Sequence, residues 1–386
     1  MRAALTLILS GFLLLVGGML LSRREPHPIE HPKDPPHRFP RSVRTPPTVG
    51  ATFHSAGSPP LTTGYKPTDK STRAPADSPL EQGIFWPPAL EQALPMGFPL
   101  EAAERWKETA RSAGVVALER GCGRSTNRMA TLSDGSRVCV RYGINPEQIQ
   151  GELLSYYLSR LLGLRGVPPC VLSRVGSPQW APVQTELAAT GWTQGALVSF
   201  TPWLHNLSSV LPPMALRAQD GKLRPLRTEL GKGGATMLEL AQWADLILFD
   251  YLTANFDRLV SNLFSLQWDP HIMLRGTNNL HRTPDGALVL LDNEAGFAHG
   301  YRLLGTWDKY NEQLLGTVCV FRRSVVRKVR EMYLARNFAQ ELQALYLQEE
   351  PLAAELGLLS EAQAQTLQGR VGHEYKHMLS CQDKYS

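Results

Sequence analysis

Two short polar segments flanking an apolar hairpin constrain this chain more than any other feature. The run Leu248-Phe-Asp-Tyr-Leu-Thr-Ala-Asn-Phe-Asp257-Arg-Leu-Val-Ser-Asn262 opens as an apolar helix and ends in Asp-x-x-x-x-Asn. That spacing can set a carboxylate at an attacking hydroxyl and an amide oxygen on a metal. The run Ala287-Leu-Val-Leu-Leu291 reads as a buried strand and delivers Asp292-Asn293-Glu294-Ala-Gly296 at its C-terminal end. An acid there can grip the same metal from a second side. A lone Asp-x4-Asn usually serves capping and turn chemistry. The downstream strand ending in Asp-Asn-Glu-Ala-Gly turns the reading toward a phosphoryl-transfer site, and the two segments together look like the C-lobe of a kinase.

The rest of the chain has room for such a fold. Of its 386 residues, Ala3 to Leu21 carry no charge and follow Met1-Arg2. A helix of that length spans about 28 Å, close to the hydrocarbon thickness of a bilayer. Residues 1–24 therefore read as a signal-anchor or as a signal peptide that is removed, and the flanking cations Arg2, Arg23 and Arg24 do not decide between them. Residues 25–82 hold a proline-rich stem: thirteen of the 29 prolines fall between Pro26 and Pro79, with almost no aliphatic run to offset ordering entropy. The remainder, 43% apolar and 19% charged across the whole chain, is globular in composition. Its net charge of +5 comes without any nucleic-acid motif, which sets nucleic acid aside as a partner. The cluster Arg322, Arg323, Arg327, Lys328 and Arg330 reads as a solvated helix face, with a patch for phosphate or an acidic partner as the alternative.

Secretory entry fits one sequon, Asn206-Leu207-Ser208, expected to be glycosylated in a surface loop. In an oxidising lumen the five cysteines, an odd number, leave at least one unpaired within the chain, and no CxxC or Cys/His spacing suggests zinc. The favoured disulfide is Cys319–Cys381, which would tether a small apolar helix near the C-terminus.

Periodicity places a helix over Pro99–Gly114, where Ala102, Trp106 and Ala110 share a face, then a strand at Val115–Leu118. The turn Ser133-Asp134-Gly135 leads into the return strand Arg137–Arg141. Asn145-Pro146 starts a helix that carries Glu152 and ends at Gly163. Strands follow near Val171–Val175 and at either Thr185 or Leu197–Phe200. Residues 204–235 form a connection. A long apolar helix covers Met237–Tyr251, and an insertion-like stretch covers Trp268–Thr283. Helices are expected at Gln313–Val318, Ser324–Arg336, Phe338–Leu347 and Glu361–Leu379. This order, strand-rich and then helical, makes an α+β fold with a small N-lobe (83–203) and a larger helical C-lobe (204–386).

In that frame Gly121-Cys-Gly123 is a candidate loop over phosphates, where absent side chains let backbone N–H groups approach an anion. Arg128 is a second phosphate candidate. Arg141 leaves the return strand where kinases use lysine, and Glu152 on the next helix is its natural ionic partner. Asp257 would take or orient the proton of the accepting hydroxyl, with Arg258 beside it keeping the carboxylate ionised. Asn262, Asp292 and Glu294 supply hard oxygen ligands suited to Mg²⁺ or Mn²⁺, and Asp250 braces the loop.

The runs Gly123-Arg-Ser-Thr-Asn127, Val140 to Glu152, Leu248 to Leu266 and Asp292-Asn-Glu-Ala-Gly296 together resemble the Four-jointed family. The likeness extends from about Gly83 to the C-terminus. More distantly, Glu152 to Pro169 and Phe249 to Arg258 resemble the secretory-pathway kinases, which share Asn-Phe-Asp in place of His-Arg-Asp. The resemblance implies an atypical kinase-like two-lobe fold using ATP and Mn²⁺ or Mg²⁺. It implies a Golgi type II membrane protein that is also released. It further implies phosphorylation of Ser or Thr on extracellular cadherin domains of the Fat and Dachsous type, with consequences for planar polarity and growth, and a requirement for Asp292, Asn293 and Glu294. Vertebrate-type members imply a rival role, a secreted kinase-like ligand that restrains dendrite growth through a receptor. A glycan or small-molecule kinase would differ only in its acceptor. The 35 residues from Asp257 to Asp292 exceed the usual kinase spacing, so the insert is expected to loop out.

Overall fold

The computed structural model describes residues 80–218 and 222–386. The expected membrane segment and stem, up to residue 79, lie outside the described residues. Among the described residues no helix is long and apolar enough to cross a membrane.

The N-terminal half is built on a five-stranded antiparallel sheet in the order β1-β2-β3-β5-β4, from β1 (Val115–Arg120), β2 (Arg128–Leu132), β3 (Arg137–Arg141), β4 (Val171–Arg174) and β5 (Leu197–Pro202). Alternation along β3 explains its roles. Val138 and Val140 enter a core with Ala130, Val198, Phe200 and Trp180. Arg137, Cys139 and Arg141 therefore share the opposite face. Arg141 pairs in register with Ser199, and Val140 with Phe200. The alternative strand at Thr185 is not formed; α4 (Gln184–Ala188) occupies it, after α1 (Pro88–Gln92), α2 (Leu100–Ser112) and α3 (Pro146–Leu161).

Helix α3 begins with Asn145 accepting a hydrogen bond from the Gln148 amide, and Pro146 stands where a missing N–H costs nothing. It is buried from Gln148 to Ser159, polar residues included, because elements cover it on every side. Behind it, the fully buried Lys107 donates to Glu104 (2.9 Å) and to Glu349 (2.8 Å), and Arg160 also pairs with Glu349.

The C-terminal half is helical: α5 (Met237–Thr253), α6 (Leu259–Ser265), α7 (Ala298–Arg302), α8 (Leu304–Leu315), α9 (Arg323–Ala335), α10 (Phe338–Glu349), α11 (Ala353–Leu356) and α12 (Glu361–Tyr385). Thr236 and Glu239 form a capping box at the start of α5, as Ser360 and Gln363 do for α12. The helix expected at Gln313–Val318 runs instead over α8 and stops at Gly316. A small sheet, β6 (Ser208–Ser209), β7 (Leu280–Arg282) and β8 (Leu288–Leu290), lies against this half. The insert loops out only as far as Asn279. Its end is β7, paired with β6 on one side and, across Pro284-Asp285-Gly286, with β8 on the other, which brings Leu280 into the core beside Leu288 and Leu290.

Cys319 and Cys381 form the expected disulfide, with Cα atoms 5.3 Å apart, holding α12 to the segment before α9. A second one, Cys122–Cys139, was not anticipated, and Cys170 is free and buried. Asn206 is exposed in a left-handed turn.

Helix α12 also carries Glu374, fully buried, with neither carboxylate oxygen hydrogen-bonded among the described residues. Burial pushes its pKa well above the ordinary value, with Arg370 opposing. A folded-state pKa above the unfolded one contributes stability that is complete below the unfolded pKa and is lost as pH rises through the folded one. Glu374→Gln is therefore expected to raise the melting temperature at pH 7.5 by several degrees. The advantage should shrink steadily toward pH 4.5. Melting curves of both proteins across that range check it, and a constant gap would show that the carboxyl is not the cause.

Candidate active site

The site is assembled where α3, the Gly121 loop and two C-terminal loops meet. Gly121, Cys122 and Gly123 all have positive φ (153°, 72° and 85°), a path that glycine adopts without strain. The Cys122–Cys139 disulfide ties this loop to β3, two residues before Arg141. The tether needs both cysteines on one face, and the alternation of β3 supplies it.

Asp292 stands in the left-handed region (φ 52°) at the exit of β8. The turn it begins is pressed against α3. A Cβ on Gly151 would lie 3.0 Å from the Gly296 carbonyl oxygen and 3.3 Å from those of Asn293 and Glu294, so any larger residue would have to push the turn back by a few tenths of an ångström. One turn-side contact closes the junction: the Asn293 amide donates to Glu152 Oε2 at 2.6 Å. Glu152 thus holds the acidic turn, and its expected ionic contact with Arg141 is not formed. Arg141 pairs with Asp292 and reaches Glu294 at 3.8 Å.

Glu294 is nearly buried and lies between two cations, Arg124 at 2.9 Å and Arg141. Burial raises its pKa, Arg124 and Arg141 oppose the shift, and the charges of Glu152 and Asp257 add to it. The loop after Gly123 and β3 therefore each bring a cation to one carboxylate of the Asp292 turn, within electrostatic reach of Glu152 and Asp257. Arg124 was missed as a site residue; its position directly after Gly123 was the available signal. Arg128, expected over phosphates, instead donates to the Ser125 and Asn127 carbonyls, each at 2.7 Å, and lies over Trp192. No contact joins it to the acidic cluster.

Asp257 is positioned by its own loop and by the insert. Its amide donates to Asn255 Oδ1 at 2.9 Å, and Asn279 Nδ2 donates to its Oδ2 at 3.0 Å. Asn279, left-handed at φ 57° just before β7, carried no recognisable sequence signal. Burial raises the pKa of Asp257, opposed by Arg258, Arg124, the Asn279 hydrogen bond and His299. A carboxylate so shifted is a better proton acceptor at neutral pH.

Arg258 does more than sit beside Asp257. Fully buried, it donates from Nε to both oxygens of Asp250 (3.2 and 3.0 Å) and from Nη2 to Asp250 Oδ1 and Asn293 Oδ1, each at 2.8 Å. Its Nη1 donates to the Leu291 carbonyl at 2.9 Å. One guanidinium thereby fixes α5, the Asp257 loop and the Asp292 turn together. Asn262 follows in α6; its side-chain amide has no hydrogen-bond partner among the described residues. The oxygens of Asp292, Glu294 and Asn262 are the hard donors that Mg²⁺ or Mn²⁺ takes, so the residue types fit such an ion.

A strand-rich lobe whose glycine loop and helix glutamate meet acidic loops of a helical lobe defines a kinase-like fold. Solved structures agree. The Golgi casein kinase with Mn/ADP bound superposes with a TM-score of 0.50 at 12% identity, over 73% of this chain and 76% of that one. The hydra Fam20 with sugar does so at 0.53 and 14%, over 76% and 94%. The family is defined by sequence. The Four-jointed box protein middle domain matches residues 101–384. Four-jointed box protein 1 of Homo sapiens is 58% identical over 311 residues, 78% of this chain and 71% of that protein. The extracellular serine/threonine protein kinase four-jointed of Drosophila melanogaster is 34% identical over 331 residues, 72% of this chain and 57% of that protein. The chain belongs to the Four-jointed box family.

Proposed function

We propose that this protein is a secretory-pathway kinase that uses ATP with Mn²⁺ or Mg²⁺ to phosphorylate Ser or Thr on extracellular cadherin domains of the Fat and Dachsous type. The observation that carries the reading is the convergence of Arg124 and Arg141 on the acidic turn of Asp292 and Glu294, within electrostatic reach of Asp257. Support also comes from the relative in Drosophila melanogaster, named an extracellular serine/threonine protein kinase, and from the fold shared with a Golgi casein kinase bound to Mn/ADP. The bound divalent ion would neutralise phosphate charge. Asp292, Glu294 and Asn262 would hold it.

The chain's own residues divide the remaining work. Arg124 and Arg141 place two cations by the acidic turn, where phosphate oxygens would compete for them. Asp257, made more basic by burial and aimed by Asn279, accepts the proton of the attacking hydroxyl. Glu152 keeps the Asp292 turn in place through the Asn293 amide. In this reading the protein acts in the Golgi lumen, anchored as a type II membrane protein or released, and modifies adhesion domains that govern planar polarity and growth.

One observation favours a second reading, a kinase-like secreted ligand that limits dendrite extension by binding a receptor. Arg141 is paired with Asp292, the carboxylate that a metal would need. Heating the full-length protein with and without Mn²⁺ plus ATP separates the two. The kinase reading expects the melting temperature to rise with nucleotide and metal together, by RT ln(1 + [L]/Kd) in free energy. Labelled ATP should then deliver phosphate to purified cadherin domains. A protein that neither shifts nor transfers phosphate is the ligand.

A further inference from the structure

Beside Asp257 the surface carries a run of aromatic rings that the proposed chemistry does not use. Phe256, the residue before Asp257, stacks on Trp307 (centroids 5.3 Å apart, planes 6° apart) and contacts His299 at 5.4 Å. Phe264 meets Trp307 edge-on at 4.7 Å, Trp268 at 4.8 Å and Tyr310 at 5.9 Å. Phe256, Trp307 and Tyr310 pack against the core yet stay partly exposed, as does Phe264, and Trp268 at the end of the run keeps 67% of its surface in water, whereas Trp243 keeps 1%.

We infer that this ridge holds the acceptor polypeptide of the proposed kinase, taking an apolar side chain that flanks the phosphorylated hydroxyl. The inference rests on the kinase reading and names its substrate class. Continuity with the site is the first argument. The hydroxyl must come to Asp257, Phe256 is its covalent neighbour, and His299 acts on the Asp257 carboxyl. The chain bearing the hydroxyl therefore passes the ridge. The shape of the ridge is the second. The rings meet edge-to-face as well as stacked, and one face of Trp307 is already covered by Phe256. A sugar needs a free flat face ringed by hydrogen-bonding groups.

Charge is the third argument. Around the ridge Asp308 is paired with Arg370, Asp269 with Arg275 and Arg302 with Glu147. Lys309, 4.8 Å from the Tyr310 ring, has no acidic partner among the described residues. An acceptor with an acid beyond its apolar residue would complement it.

The test uses the full-length protein with Mn²⁺ and ATP, a panel of serine peptides and a panel of oligosaccharides. Peptides with Leu or Phe near the serine and Glu farther along are expected to show KM at least about tenfold below Ala-flanked ones, the worth of burying one large apolar side chain. Trp268→Ala, exposed and safe for folding, should erase most of that preference. Nucleotide-dependent stabilisation is recorded in the same samples. If it is absent, the kinase reading itself has failed. If it is present while flanking residues and Trp268→Ala make no difference, or while only oligosaccharides or no acceptor at all is phosphorylated, the ridge is not the acceptor site.

Discussion

Arg258→Ala is expected to destabilise the protein by at least about 3–5 kcal/mol, the usual cost of removing one partner from a buried ion pair. The loss would leave Asp250 charged or forced to take a proton in a site where burial already raises its pKa. It would also strip the Leu291 carbonyl and Asn293 Oδ1 of their donor. Unsatisfied buried acceptors add to the penalty rather than share it. Against a total stability of about 5–15 kcal/mol, the variant should melt roughly ten degrees lower or fail to accumulate. Arg258→Lys keeps the charge but not the planar fork that reaches three groups at once, so it should fall between the two. Thermal unfolding of the three proteins decides the matter. A melting temperature for the alanine variant within two degrees of the parent, on the order of 1 kcal/mol or less, would mean that the guanidinium network adds little.

Asp257→Asn is expected to act on the reaction alone. Loss of a positioned proton acceptor typically removes about 10²–10⁴ in rate, and kcat for phosphate transfer should fall by that much. The fold should not suffer. Asparagine keeps the shape and an oxygen for Asn279. The raised pKa of Asp257 also means that its ionisation costs stability as pH rises through that value, so a neutral replacement should melt at the same temperature or higher at pH 7.5. The parent's rate should fall as acid protonates Asp257, at a pH above the usual aspartate value, and the variant should lack that limb. Asp292→Ala provides the matching loss at the metal side, though it also takes a partner from the buried Arg141 and should melt lower for that reason. An Asp257→Asn enzyme with the parent's rate and pH profile would remove Asp257 from the chemistry.

Much of the scaffold was legible because it depends on short-range pattern. The helix at Leu100–Ser112, the Asp-Gly turn before β3, the Pro-initiated α3 and the apolar α5 each follow from periodicity, caps or turn residues within a dozen positions. The insert misled because length alone was weighed. Leu280 to Arg282 is too short to show a period, and it is a strand only because β6 and β8 flank it. Cys122–Cys139 was hidden for a related reason: five cysteines allow many pairings, and a strand face chooses one.

The sequence by itself determined the order of elements, the two motif loops with Asp257 and Asp292, and membership of the Four-jointed box family. All three are read along the chain. Only the tertiary structure decided who meets whom. Arg141 turned to Asp292 and Glu294, while Glu152 accepts from the Asn293 amide, 141 residues away. Arg258 became a hub and Asn279 an aid to Asp257 because buried donors must find acceptors wherever packing brings them. Such partnerships depend on geometry summed over the whole fold, and no local spacing carries it.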